Sequence, residues 1–157
     1  LMAKFTLLER IDHLQLVRST WHNLKVFPGA AAAIERLRSR YTVVVLTILS
    51  LESIVNSSKR TGVQWDAILS CEFLGSYKPS LQAYIKAMKL LGVLPEEAMM
   101  VAAHEGDLSA AAQTGMGTIY VNVPETDNIS NGFEEPSGCV FDYETRDFNA
   151  LCATLNV

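Results

Sequence analysis

Three places along the chain put hydroxyl, ammonium and carboxylate side chains where a reaction could use them. Thr47 and Ser50 close the apolar run TVVVLTI, Lys78 stands between Tyr77 and Pro79, and Asp107 follows MMVAA with His104 and Glu105 beside it. A threonine hydroxyl and loop amides after a strand can hold an oxyanion or a carboxylate, helped by the positive end of the next helix. A fixed ammonium at Lys78 can neutralise a substrate anion or a reacting carboxylate. Each residue also has an ordinary structural explanation. Thr47 is then a β-branched strand residue, Ser50 a helix cap, Lys78 a solvated loop cation and Asp107 a carboxylate steadied by a helix dipole. His104 read alone is a hydrogen-bonded structural imidazole. The spacing of His104, Glu105 and Asp107 does not by itself make a metal site.

The elements that must position these residues alternate between strand and helix. Leu7, Leu8, Ile11, Leu14, Val17, Trp21 and Leu24 recur at steps of three and four and predict one apolar stripe on a helix. Pro28-Gly29 breaks the chain, and AAAAIERLR from Ala30 to Arg38 is a run of strong helix formers. Thr42 to Ile48 has no polar alternation, which predicts a parallel strand buried on both faces. Glu52 to Thr61 reads as a helix stopped by Gly62, and Trp65 to Cys71 as a shorter strand. Pro79 suits the first turn of a helix that carries Ala83, Tyr84, Ala87, Met88 and Leu91 and stops at Gly92. Met99–Ala103 is the third strand, Asp107–Thr114 a short helix before Gly115, and Thr118–Val121 the fourth strand. Pro124 to Gly138 reads as a surface loop. Cys139 to Phe141 is the candidate for one more strand, and Phe148, Leu151, Cys152 and Leu155 mark a closing helix. The fold class predicted is α/β, a Rossmann-like, doubly wound, mainly parallel sheet. In such sheets chemistry sits beyond the carboxyl ends of the strands, where Thr47, Lys78 and Asp107 fall.

Composition narrows the function classes. The chain has 157 residues, 49% of them hydrophobic, enough for one domain with a core. A net charge of -4 gives no nucleic-acid footprint. The apolar runs are too short to span a bilayer, and the first residues lack the pattern of a signal peptide. Three widely spaced cysteines (Cys71, Cys139 and Cys152) fit free thiols in a reducing compartment. A cytoplasmic protein is expected, without nucleic-acid or membrane partners.

In this order and setting, the residues resemble a known family. Thr47 after a buried strand, Tyr77-Lys78-Pro79 about thirty residues on, and VAAHEGDLSAAAQTG after the next long helix are similar to motifs two, three and four of the haloacid dehalogenase superfamily. Trp21-His22 with Leu24, WDAILS from Trp65 to Ser70, Glu72, Tyr84 and Asp107-Leu108 resemble its type II 2-haloacid dehalogenase branch. The resemblance implies that Thr47 hydrogen-bonds substrate or nucleophile and that Lys78 stabilises a nucleophilic carboxylate. It implies that Asp107 holds the lysine or orients water. Ser50 and Tyr84 would then contact substrate, and His104 would lie near the reacting water. The substrate implied is a small organic acid. Phosphatases of the superfamily bind magnesium through a Gly-Asp pair, but Ala102-Ala103 stand at the aligned positions. Alanine offers no oxygen ligand to a hard cation. The expectation is therefore metal-independent dehalogenation with no cofactor, magnesium being required only if the protein is a phosphatase.

Two departures qualify the resemblance. The family's first strand ends in the attacking aspartate, and no such element precedes Thr47: the upstream acids Glu9, Asp12 and Glu35 all fall in predicted helices. Residues 1–24 instead resemble the last helix of a cap domain, with 25–157 as the core. The chain is thus expected to lack the usual first strand and to be inactive alone. Three arrangements remain open: a piece of a longer protein, a strand supplied by a complementing N-terminal segment or a homo-oligomer partner, or direct pairing of the strands on either side of the gap. The second departure is in motif two, where Ile48-Leu49 stand in place of the branch's amide and glycine. A degenerate, non-catalytic binding or oligomerisation module is the rival expectation.

Overall fold

The computed structural model describes residues 25–122 and 140–157. The helix expected before Leu24, the loop from Pro124 to Gly138 and Cys139 lie outside the described residues. Helix α1 (Ala30–Arg38) buries Ala30, Ala33 and Leu37, a single face at helical spacing. Strand β1 (Val44–Thr47) leads through Ser50 into helix α2 (Leu51–Thr61), which ends on Gly62 at φ 75°. Ser50 Oγ accepts the Ser53 amide, so the residue is a helix cap in fact. Strand β2 (Ala67–Ser70) runs directly into the one-turn helix α3 (Cys71–Leu74), where a longer strand through Cys71 was expected. Helix α4 (Leu81–Leu91) has Ser80 at its N-cap position, without a side-chain cap bond, which leaves Pro79 before the helix and not in its first turn.

Strand β3 (Met99–Ala102) feeds helix α5 (Glu105–Ala112), which starts two residues before Asp107. Strand β4 (Gly117–Val121), strand β5 (Tyr143–Thr145) and helix α6 (Phe148–Thr154) complete the described chain. The last strand thus forms beyond the expected Cys139–Phe141. Asp142 explains the shift, because its carboxylate accepts both the amide and the hydroxyl of Thr118 and docks the chain beside β4. Val140, part of the apolar run, is left 94% exposed.

All strand pairings are parallel, with β1 on β2 and β3–β4–β5 in order. Side chains alternate between faces along a strand. Val43 packs with Leu37, Ile119, Val121 and Leu151 on one face, while Leu46 packs on the other with Met100 and a cluster of Tyr84, Ala110 and Ala111. Helices α1 and α6 therefore cover one face, and α4 and α5 the other. This is the α/β architecture the alternating pattern predicts.

The sheet is nevertheless in two parts. Among the described residues β1 pairs only with β2, and β3 only with β4. Direct closure across the gap, one of the three expected arrangements, does not occur. Burial follows the same division. In β4, Ile119 and Val121 are buried, as a covered parallel strand requires. All of β1 stays partly exposed, and in β3 the alternate residues Met99 and Val101 are exposed, which leaves one face of that strand uncovered.

Candidate active site

Lys78, Asp107 and Tyr84 come together from three separate segments. The Lys78 ammonium donates to Asp107 Oδ2 at 2.7 Å. The Tyr84 hydroxyl donates to Asp107 Oδ1. Side-chain exposures of 18% and 14% leave the Lys78–Asp107 pair mostly shielded yet reachable from solvent. Asp107 lies in the first turn of α5, where its charge also meets the positive end of the helix. Tyr84 has no exposed surface. Burial first, and the Asp107 carboxylate second, push its phenol far above the ordinary value. It is therefore a proton donor throughout the neutral range, and its contacts are with the core and Asp107.

The cluster around Tyr84 includes Leu46 of β1 and Met100 of β3. The Lys–Asp–Tyr group is thus tied to the strands on both sides of the gap.

Thr47 and Ser50 belong to a different network. Thr47 Oγ1 accepts the Leu49 amide at 3.1 Å, and Ser50 Oγ meets Ser53 Oγ at 2.9 Å. Among the described residues no hydrogen bond joins this loop to Lys78 or Asp107. His104 precedes α5, is exposed and makes no side-chain cap. Two residues without an assigned role in the sequence reading complete the loop. Buried Ser70 donates through Oγ to the Leu49 carbonyl at 2.7 Å, and Glu72 Oε2 accepts the Leu51 amide at 2.9 Å. The signal for Ser70 was its place at the end of the second strand, level with Thr47 in the register.

The donor set gives a hard metal ion little to hold. Ala102 ends β3 and Ala103 follows it, neither with a side-chain oxygen, and no group of three or more His, Cys, Asp or Glu among the described residues is placed to bind a metal. Every buried side-chain nitrogen or oxygen among them has a hydrogen-bond partner, so none is left aimed at an absent ion. No helix among the described residues is long and apolar enough to cross a membrane.

The described elements form a parallel α/β core in which Lys78, ahead of α4, is paired with Asp107 in the first turn of α5. The chain belongs to the haloacid dehalogenase-like hydrolase family, whose profile matches residues 3–115. It is 26% identical over 125 residues to (S)-2-haloacid dehalogenase 1 of Pseudomonas sp. (strain CBS-3), covering 77% of this chain and 55% of that protein. The crystal structure of the L-2-haloacid dehalogenase PA0810 superposes with a TM-score of 0.84 at 28% identity, covering 91% of this chain and 61% of the other. The defluorinating L-2-haloacid dehalogenase Rha0230 gives 0.83 at 29% identity, with 91% and 58% covered. The chain thus spans less than two thirds of the length of each of these relatives.

Proposed function

We propose that this chain is the larger part of a 2-haloacid dehalogenase-like hydrolase that splits a carbon–halogen bond in a small organic acid. The observation that carries the proposal is the Lys78–Asp107–Tyr84 group, packed with β1 and β3, two strands that do not pair with each other among the described residues. A complementing strand ending in aspartate would lie between them. Its carboxylate oxygen would attack the halogen-bearing carbon, expel halide and form an ester, which water then hydrolyses at the acyl carbon to regenerate the carboxylate. Lys78 would stabilise the attacking carboxylate. Asp107, held by Tyr84, would fix the ammonium, and Thr47, Ser50 and His104 would face substrate and water. No metal takes part in this scheme, and Ala102-Ala103 are in keeping with that. Residues 1–24 would be the end of a cap and residues 25–157 the core, in a cytoplasmic enzyme.

The experiment is halide release from 2-chloropropionate by the protein together with its strand-bearing segment. Turnover is expected, with Lys78→Met lowering kcat/KM by about a hundredfold or more, and with the described chain inactive alone. Absence of halide release from the longer protein would overturn the reading. The rival is a non-catalytic binding module, favoured by the loop after β1, whose amides at Leu49 and Leu51 are already engaged within the chain. Magnesium-dependent release of phosphate from p-nitrophenyl phosphate would instead identify a phosphatase.

A further inference from the structure

Lys86 of α4 has no part in the proposed reaction, yet it is bound to the turn that leads to Lys78. Its ammonium donates to the Leu74 carbonyl at 2.8 Å and reaches the Gly75 carbonyl at 3.4 Å. These carbonyls end α3, and the last oxygens of a helix have no partner within it. An ammonium carries three donors and no acceptor, so one lysine can serve two such oxygens. The chain turns there through Gly75, at φ 61°, and arrives at Lys78 three residues later. Lys78 is followed by Ser80, whose amide donates to the Tyr77 carbonyl and closes the other side of the loop. Lys86 thus fixes the point from which the Lys78 segment departs.

Helix α4 packs against both α3 and α5. Tyr84 donates to Asp107 of α5, and Lys86, two residues on, holds the end of α3. Residues two apart on a helix do not share a face, so one helix reaches both neighbours at the same level. It sets the acceptor of the Lys78–Asp107 pair through Tyr84, and the chain that carries the donor through Lys86. We infer that Lys86 is a positioning residue, whose ammonium holds the Leu74–Gly75 turn so that Lys78 meets Asp107 at 2.7 Å. The inference rests on the hydrolase reading for what Lys78 does in turnover; the positioning itself is a property of the chain. Without that ammonium two helix-end carbonyls lose their donor, the Gly75–Lys78 segment swings, and Lys78 exchanges Asp107 for water.

The test reads how fast each lysine of the 157-residue chain reacts with limiting acetic anhydride, site by site in the mass spectrum of its peptides. Acylation needs a reachable amine, so a side chain held by hydrogen bonds and shielded by its neighbours reacts slowly. Lys78 and Lys86 are partly buried, whereas Lys59 and Lys89 are exposed. The first two are expected to react on the order of tenfold more slowly than the others, the scale of one hydrogen bond to a charged group. Lys86→Met should raise the Lys78 rate toward that of Lys59 and leave Lys59 unchanged. Lys86→Arg, whose fork can donate to both carbonyls, should restore the slow rate. Lys86 reacting as fast as Lys89 in the unaltered chain would overturn the inference, and that outcome needs no variant to fold. So would a Lys78 rate that Lys86→Met leaves unchanged, a rise shared by Lys59, or a rise that Lys86→Arg fails to reverse. In the longer protein Lys86→Met is expected to lower kcat on the order of tenfold, with KM for 2-chloropropionate held within about twofold; an unchanged kcat counts against the positioning role. If the unaltered longer protein releases no halide, the hydrolase reading fails while the acylation rates still decide the role of Lys86.

Discussion

Asp107 receives two donors of different kinds, a charged ammonium on one oxygen and a neutral phenol on the other. The ammonium carries the proposed chemistry, whereas the phenol restrains the carboxylate from inside the core. Removing the phenol oxygen leaves a shielded carboxylate oxygen with one donor fewer and a small void. Tyr84→Phe is therefore expected to lower the unfolding free energy by about 1–2 kcal/mol. Urea unfolding at neutral pH measures it, and a loss below about 0.3 kcal/mol would show that the hydroxyl restrains nothing. Lys78 and Asp107 were legible in the sequence because a strand end fixes where a following polar residue must lie. The helix carrying Tyr84 was legible too: of Ala83, Tyr84, Ala87, Met88 and Leu91 the first four are buried and Leu91 is exposed, although Tyr84 itself was expected to contact substrate. The engagement of the motif-two amides was not. The Thr47 bond to Leu49 depends on a rotamer, and the Glu72 bond to Leu51 on a contact 21 residues apart, neither of which periodicity encodes.

At the scale of elements, Asp66 shows how a turn before one strand fixes the start of its neighbour. Its carboxylate accepts the Val43 amide at 2.8 Å and the Arg38 guanidinium at 2.8 Å, tying the entry of β2 to that of β1 and the end of α1. The Val43 amide first, and Arg38 second, hold its pKa below the usual carboxylate value. A lowered folded pKa means that its stabilising contribution is complete above the unfolded value of about 3.9 and fades as pH falls through the folded one. Asp66→Asn should thus be less stable than the unaltered chain near neutrality, with the difference shrinking below about pH 4. Thermal unfolding across that range checks the sign; a gap that widens on acidification would contradict it. Element order was readable from hydrophobic runs, but boundaries moved where tertiary contacts outweighed local preference. Strand β5 forms at Tyr143–Thr145 because Asp142 latches onto Thr118, although the preceding residues are more apolar. Helix α3 is one turn long, too short to leave a period in the sequence.

For the whole molecule, the divided sheet is the feature from which most follows. The chain's apolar runs are written for strands covered on both faces and paired on both edges, and β4 satisfies that pattern with β3 and β5 beside it. Strands β1 and β3 satisfy less of it: among the described residues each pairs on one edge only, and one face of β3 leaves Met99 and Val101 exposed. The separation of β1 from β3 was anticipated, because no buried run ending in aspartate stands before Thr47 in the sequence. Direct pairing of β1 with β3 was left open by the sequence and is not found among the described residues, although Leu46 and Met100 pack against one cluster of Tyr84, Ala110 and Ala111. Open edges of this kind exchange amide hydrogens with water and recruit other strands. In dilute solution the amides of β4 should therefore exchange slowest, with protected and unprotected amides alternating along β1 and β3. Raising the concentration should bring self-association in light scattering, with the unprotected amides becoming protected in step. A monomer at all concentrations whose β1 amides are as uniformly protected as those of β4 would mean that the gap is already filled from within the chain, and would overturn the account of an open sheet.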